Sequence, residues 1–175
     1  MHAAHRSVFR LLPAFALAAA LAACAPAPIY KTGPATATAT PRQVATTPNN
    51  FTGSQVVWGG EVIGVTNMQD HTEIRVLAYP LDSSQRPRLK KNAEGRFTAI
   101  IPGFLDPMDY PKGSLVTVQG EVAGTQTGTV GEATYVYPAL KVHSGDLHRW
   151  TPEEMRKGHP NIHFGVGVGV GGRIR

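Results

Sequence analysis

The stretch "LVTVQGEVAG", residues 115–124, decides the fold class. Val116, Val118, Gly120 and Val122 fall on one parity and Thr117, Gln119 and Glu121 on the other. Strict alternation of apolar and polar residues is the mark of a strand with one buried face, because successive side chains point to opposite sides of a sheet. The same texture recurs on both sides. "VVWGGEVIGV" (56–65) is Val-rich, with Gly59–Gly60 marking a bulge or bend. "TEIRVLAY" (72–79) sets Ile74, Val76 and Ala78 against Arg75, and "RFTAII" (96–101) places Phe97, Ala99 and Ile101 together. "ATYVYPALKV" (133–142) is a fifth run, and its Pro138 predicts an edge position or a bend. No stretch between residues 54 and 150 shows helical periodicity over ten or more positions.

These runs predict an all-β domain over residues 54–150. Five to six short antiparallel strands with glycines inside them fit a small, partly open, OB-like barrel, with a β-sandwich as the alternative. The domain is followed by "WTPEEMRKGHP", 150–160, where Thr151 and Glu154 form a capping box and Pro152 occupies the first helical position. A short C-terminal helix follows from that pattern, with Gly158 closing it and Trp150 docking it onto the barrel.

Upstream the chain reads as export machinery. Residues 1–23 carry Arg6 and Arg10 ahead of the uncharged run "LLPAFALAAALAA", the form of a signal peptide. The run is shorter than the about 20 apolar residues that a membrane span needs. It ends in Leu21, Ala22, Ala23 and Cys24, the pattern of a bacterial lipobox, in which the Cys becomes the acylated first residue. Cys24 is the sole cysteine, so no intramolecular disulfide competes with that reading. By likeness to other lipoproteins, Ala25 after the Cys points to the outer membrane. Residues 24–53 hold Pro26, Pro28, Pro34, Pro41 and Pro48 among Ala and Thr, without periodicity, and read as a disordered tether spanning roughly 30 Å.

The domain resembles the Slp family of bacterial outer-membrane lipoproteins, named for starvation-inducible lipoprotein. The segments that carry the resemblance are "VVWGG" (56–60), "PLDSSQRP" (80–87), "GRFTAIIPGFLDPMDY" (95–110), "GSLVTVQGEVAGTQTGTVGEATYVYP" (113–138) and "LHRW" (147–150), together with the lipobox. The resemblance implies an envelope lipoprotein associated with stress or stationary phase, facing the periplasm, in a structural or interaction role. It transfers no catalytic residues.

Charge argues against nucleic acid. The whole chain is +5, yet between residues 54 and 150 nine Lys/Arg face ten Asp/Glu, and binding to phosphodiesters rests on a basic surface. One run departs from that balance: "RPRLKKNAEGR" (86–96), with five basic residues and one acid. Arg86, Arg88, Lys90 and Lys91 are therefore candidate contacts for an envelope polyanion, the competing reading being a solvated hairpin loop. Trp58, Tyr135 and Tyr137 are the aromatic candidates if the domain is instead a module for a glycan, a lipid or a small molecule. Asp106 and Asp109 in "GFLDPMDYPKG" (103–113) read as turn formers before acid–base groups. "HPNIH" (159–163) is half a zinc spacing with no partners, so neither a metal nor a cofactor is expected. Ser83 and Ser84 lack a nucleophile elbow. The expectation is a non-enzyme whose partners are the outer membrane, through acyl chains, and an envelope protein or polymer.

The tail "GVGVGVGGRIR" (165–175) contains the letters of a dinucleotide fingerprint at 167–172. That loop must follow a strand, open a helix and be trailed by an acid. None of the three is present, so residues 164–175 read as a mobile Gly/Val tail or a self-pairing strand.

Overall fold

The computed structural model describes residues 27–156. The lipobox with Cys24, the stop of the C-terminal helix, His159, His163 and the Gly/Val tail lie outside the described residues. Six strands are present: β1 (Gln55–Asn67), β2 (His71–Ala78), β3 (Gly95–Pro102), β4 (Leu115–Val130), β5 (Ala133–Lys141) and β6 (Leu147–Trp150). Two short helices flank them, α1 (Pro41–Thr46) and α2 (Pro152–Arg156), with a 3-10 turn at Pro48–Asn50.

The strands form one sheet in the order β1-β2-β3-β5-β4-β6, and β1 also pairs with β4. Five strands thus return on themselves in a partly closed, OB-like ring, and the two-sheet sandwich does not arise. β1 achieves this by serving two partners. Gln55–Glu61 pairs with β4, and Gly60–Asn67 pairs with β2. The handover between partners falls at Gly60 and Glu61, which pair with both strands, while the irregularity in the register of β1 lies further on, between Val62 and Gly64. A Cβ on Gly60 would collide with the Leu77 carbonyl of β2, and one on Gly59 would lie 2.7 Å from the Val116 carbonyl of β4. Only glycine lets three backbones meet there.

One pairing departs from the antiparallel expectation. β3 and β5 run parallel and share three residue pairs, Thr98–Ile100 with Ala139–Lys141. The reversal is topological: β4 lies between them in sequence, so the chain re-enters in the direction of β3. Pro138 sits directly before this seam and pairs only with Thr125 of β4, so its missing N–H faces no third strand.

The interior follows the sequence alternation. Val56, Val62, Ile74, Val76, Phe97, Val116, Val118, Val122 and Leu140 are fully buried. Thr117 departs from it. It belongs to the outward parity but is fully buried, because Trp150 and the loop after β2 cover the outside of β4 there. Its hydroxyl donates to the Gln85 carbonyl at 2.7 Å and accepts from Trp150 Nε1 at 2.9 Å.

The expected disordered tether is corrected for residues 30–53: the segment is tied to the domain at Tyr30, Ala37, α1 and Gly53, while residues 31–35 are exposed between those points. Thr40 and Gln43 form a reciprocal capping box, with Pro41 at the first helical position, and start α1. α1 lies against β3 and β5, the pair with the shortest seam, and inserts Val44 into the core with no exposure. Ala37 N–H donates to the Gln55 carbonyl at 2.7 Å, and Gly53 N–H to the Val122 carbonyl at 2.8 Å. A six-residue helix is too short to produce periodicity, and one buried Val is invisible in composition. Ala/Pro/Thr content therefore suggested disorder where tertiary contacts supply order. At the far end α2 forms as expected: Thr151 N–H donates to Glu154 Oε2 at 2.8 Å, and Glu154 N–H to Thr151 Oγ1 at 3.2 Å.

Candidate functional site

Between β2 and β3 the chain leaves the sheet for residues 79–94, and this excursion builds the candidate site. Asp82 organises its start. Asp82 Oδ1 accepts from Ser84 N–H at 2.8 Å and from Arg86 N–H at 2.9 Å, and the Asp82 N–H donates to the Arg86 carbonyl at 3.0 Å. A carboxylate that accepts from backbone two and four residues on is the usual way an Asp closes a turn. The turn holds Gln85 at φ +66°, a conformation that costs free energy unless its surroundings fix it. They do so through both of its ends. Gln85 Nε2 donates to the Tyr30 carbonyl at 2.9 Å, and its Oε1 accepts from Tyr30 N–H at 2.8 Å.

The next residues project a basic rim. Arg86 is 8% exposed, and its guanidinium carbon lies 5.8 Å from the centre of the Trp150 ring. Arg88, Lys90 and Lys91 are exposed. All four border a recess of about 470 Å³ between this loop and α2. Its apolar wall is Pro87, Leu89 and Met155, and among the described residues that line it Asp82 is the one acid. The arrangement combines four permanent or near-permanent cations with a greasy side. It can hold an anion that carries apolar substance, since guanidinium and ammonium groups bind phosphate or carboxylate oxygens while the wall takes hydrocarbon.

The structure therefore brings together the four basic candidates. It does not bring the aromatic candidates to an accessible face. Trp58 is 5% exposed, stacks edge-on with Phe97 at 5.2 Å and donates Nε1–H to the Ala39 carbonyl at 2.7 Å. Tyr137 is 3% exposed, and its hydroxyl donates to the Thr129 carbonyl at 3.1 Å. Tyr135 is half-buried against Tyr137, and its hydroxyl accepts from Arg96 N–H at 3.0 Å. Trp58 and Tyr137 are thus packing residues, and Tyr135 alone keeps part of its surface exposed. Asp106 caps a turn, with Oδ1 accepting from Met108 N–H at 2.9 Å. Met155 and Leu89 were not foreseen as lining residues. Met155 enters because α2 folds back beside the loop, which nothing local in the sequence encodes.

Elsewhere two electrostatic features stand out. The Tyr30 phenol is pushed well above its ordinary range, first by burial and then by the Asp146 carboxylate. At the β1–β2 turn His71 Nδ1 meets Asp70 Oδ1 at 2.6 Å. That contact raises the imidazole and holds the Asp70 carboxyl below the usual carboxylate range.

A family profile described as outer membrane lipoprotein Slp family matches residues 21–166, starting at the first residue of the lipobox and running through the whole domain. The chain belongs to that family. Three relatives accompany the match. The uncharacterized lipoprotein YeaY of Escherichia coli K12 is 37% identical over 107 residues, 59% of this chain and 55% of YeaY. Outer membrane protein Slp of the same strain is 33% identical over 108 residues, 62% of this chain and 56% of Slp. An uncharacterized protein of Haemophilus influenzae is 35% identical over 95 residues, 53% of this chain and 50% of that protein. The chain thus spans about half the length of the curated relatives it matches. Membership in the Slp family places it among outer-membrane lipoproteins. Among the described residues no helix is long and apolar enough to cross a membrane.

Proposed function

We propose that this Slp-family protein is anchored through acylated Cys24 and holds its β-domain close against the periplasmic surface of the outer membrane, as a structural or interaction module and not as an enzyme. One observation carries the reading: Tyr30 is already tied to the body of the domain through Gln85. Six peptide steps separate Cys24 from Tyr30, a reach of at most about 20 Å, whereas a free tether to residue 54 would reach about 100 Å. Two or more acyl chains make such an anchor stable, each buried methylene contributing about 0.8 kcal/mol. The non-enzymatic part of the reading is supported by how Asp106, one of the two candidate acids, is used: its Oδ1 accepts from the Met108 N–H of a turn.

Labelling cells with palmitate tests this proposal. The native chain is expected to take up label and to fractionate with the outer membrane, and Cys24→Ala to lose the label and leave that fraction. Label retained by Cys24→Ala would overturn it.

A further inference from the structure

We propose that the recess between the loop 79–94 and α2 binds the phosphate headgroup of an anionic glycerophospholipid in the leaflet that carries the anchor. The inference deepens the proposed function and rests on it for the position of the groove, though its chemistry stands on the groove alone.

Three observations converge. The first is charge. Arg86, Arg88, Lys90 and Lys91 border one recess, whereas residues 54–150 as a whole carry one more acid than base. Among the described residues that line the recess the one acid is Asp82, which already accepts two backbone hydrogen bonds. Arg86 itself is 8% exposed, packs on Trp150 and donates Nη2–H to Ser84 Oγ at 3.5 Å, so it contributes a fixed charge beneath the three exposed cations Arg88, Lys90 and Lys91.

The second is the apolar wall. Pro87, Leu89 and Met155 face the same space, and Leu89 is 47% exposed. A free inorganic anion gains nothing from them. A phosphodiester attached to glycerol and acyl chains gains burial for its apolar part while its phosphate meets the cations.

The third is place. Arg86 follows directly on Gln85, the residue that ties down Tyr30. The groove therefore begins one residue from the point at which Tyr30 is tied down, and Tyr30 is six peptide steps from Cys24, a reach of at most about 20 Å. A leash of that length lets the basic residues come within a Debye length, about 10 Å, of an anionic surface, where they are attracted to it.

The test uses the purified full chain in a non-ionic detergent, with intact mass recording on the same sample whether Cys24 is acylated. Dihexanoyl phosphatidylglycerol, dihexanoyl phosphatidylcholine and inorganic phosphate are titrated separately, and the amides of residues 82–91 are followed by NMR. The expected result is saturable binding of phosphatidylglycerol, about tenfold or more tighter than either phosphatidylcholine or phosphate, centred on these amides. The variant Arg88→Glu, Lys90→Glu, Lys91→Glu alters only exposed positions, and it should weaken phosphatidylglycerol binding by about a hundredfold while the remaining amides keep their shifts. Equal binding of phosphatidylcholine, a phosphodiester of no net charge, would mean that the site does not select an anionic headgroup. Equal binding of phosphate would mean a plain anion site. Either result, an unaffected triple variant or no saturable binding at all would overturn the inference. An unacylated chain that still binds phosphatidylglycerol would contradict the anchor and leave the groove standing. If the variant fails to fold, the comparison of the three ligands on the native chain still decides.

Discussion

Tyr30 and Gln85, 55 residues apart, share two hydrogen bonds through one side-chain amide: Tyr30 N–H to Gln85 Oε1 at 2.8 Å, and Gln85 Nε2–H to the Tyr30 carbonyl at 2.9 Å. The amide of Gln85 serves Tyr30 as the backbone of a neighbouring strand would. It converts a Pro-rich leader into part of the domain, and it fixes the loop that carries the basic groove at the same point.

Replacing Gln85 by Ala removes both bonds and leaves the Tyr30 backbone groups without their partner. The expected loss is about 1–3 kcal/mol, concentrated locally. Amide exchange at Tyr30 should accelerate strongly while β2 and β3 keep their protection. Unchanged exchange at Tyr30 would show that something else holds the leader.

Val44 tests whether α1 belongs to the core. It is fully buried, so Val44→Ala should destabilise the domain by about 2 kcal/mol in urea unfolding, from lost transfer energy and a residual cavity. A change below about 0.5 kcal/mol is what a solvated tether gives, and would refute the packing.

The two halves of β1 offer an internal control. Gly60→Ala forces a methyl into the Leu77 carbonyl, whereas a Cβ on Gly64 meets nothing within 4 Å. Gly60→Ala should cost about 3 kcal/mol or more, and Gly64→Ala about 0.5 kcal/mol or less, by thermal unfolding. Similar losses at both sites would mean that β1 does not approach the Leu77 carbonyl closely at Gly60.

The His71–Asp70 contact makes a pH prediction. His71 is raised mainly by its hydrogen bond to Asp70. Its contribution to the turn is therefore complete below the ordinary histidine value of about 6.5 and fades as pH climbs through the raised one. Asp70 is lowered by His71, so its contribution is present above the ordinary carboxylate value of about 3.9 and fades as pH falls through the lowered one. The β1–β2 turn is tightest between those two ordinary values. An NMR titration of His71 should give a midpoint above the ordinary histidine value, and Asp70→Asn should lower it. Because the pair sits at the surface, added salt should shrink the difference.

Much of the ring was legible because one face of each strand is buried. The parity of Ile74, Val76, Phe97, Ala99, Val116 and Val118 found β2, β3 and the first half of β4. The second half, 123–130, alternates only between exposed and half-exposed positions, so no apolar period marks it. β6 has four residues and was seen only as a familiar segment. The parallel seam of β3 and β5 is a property of connectivity, with no local signature. The order of residues 30–53 was missed, although Thr40-Pro41-x-Gln43 carries the same capping signal that was recognised at Thr151. In the site, the basic run from Arg86 to Lys91 stood out in composition. Trp58 was misassigned as a surface candidate, although it shares parity with Val56 and Val62 and therefore points inward. The apolar wall of the groove depends on α2 folding back, which only the tertiary structure supplies.

The central claim is that the domain is held at the membrane by a leash of six peptide steps, groove side near the lipid. Paramagnetic relaxation tests it most directly, with the native lipoprotein in bilayer nanodiscs that carry a gadolinium-chelating headgroup lipid. The account predicts strong broadening of the amides of residues 27–30 and 82–91, with the rest of the ring affected according to distance. Weak broadening spread evenly over the whole domain, as a body wandering on a long tether would give, would contradict it.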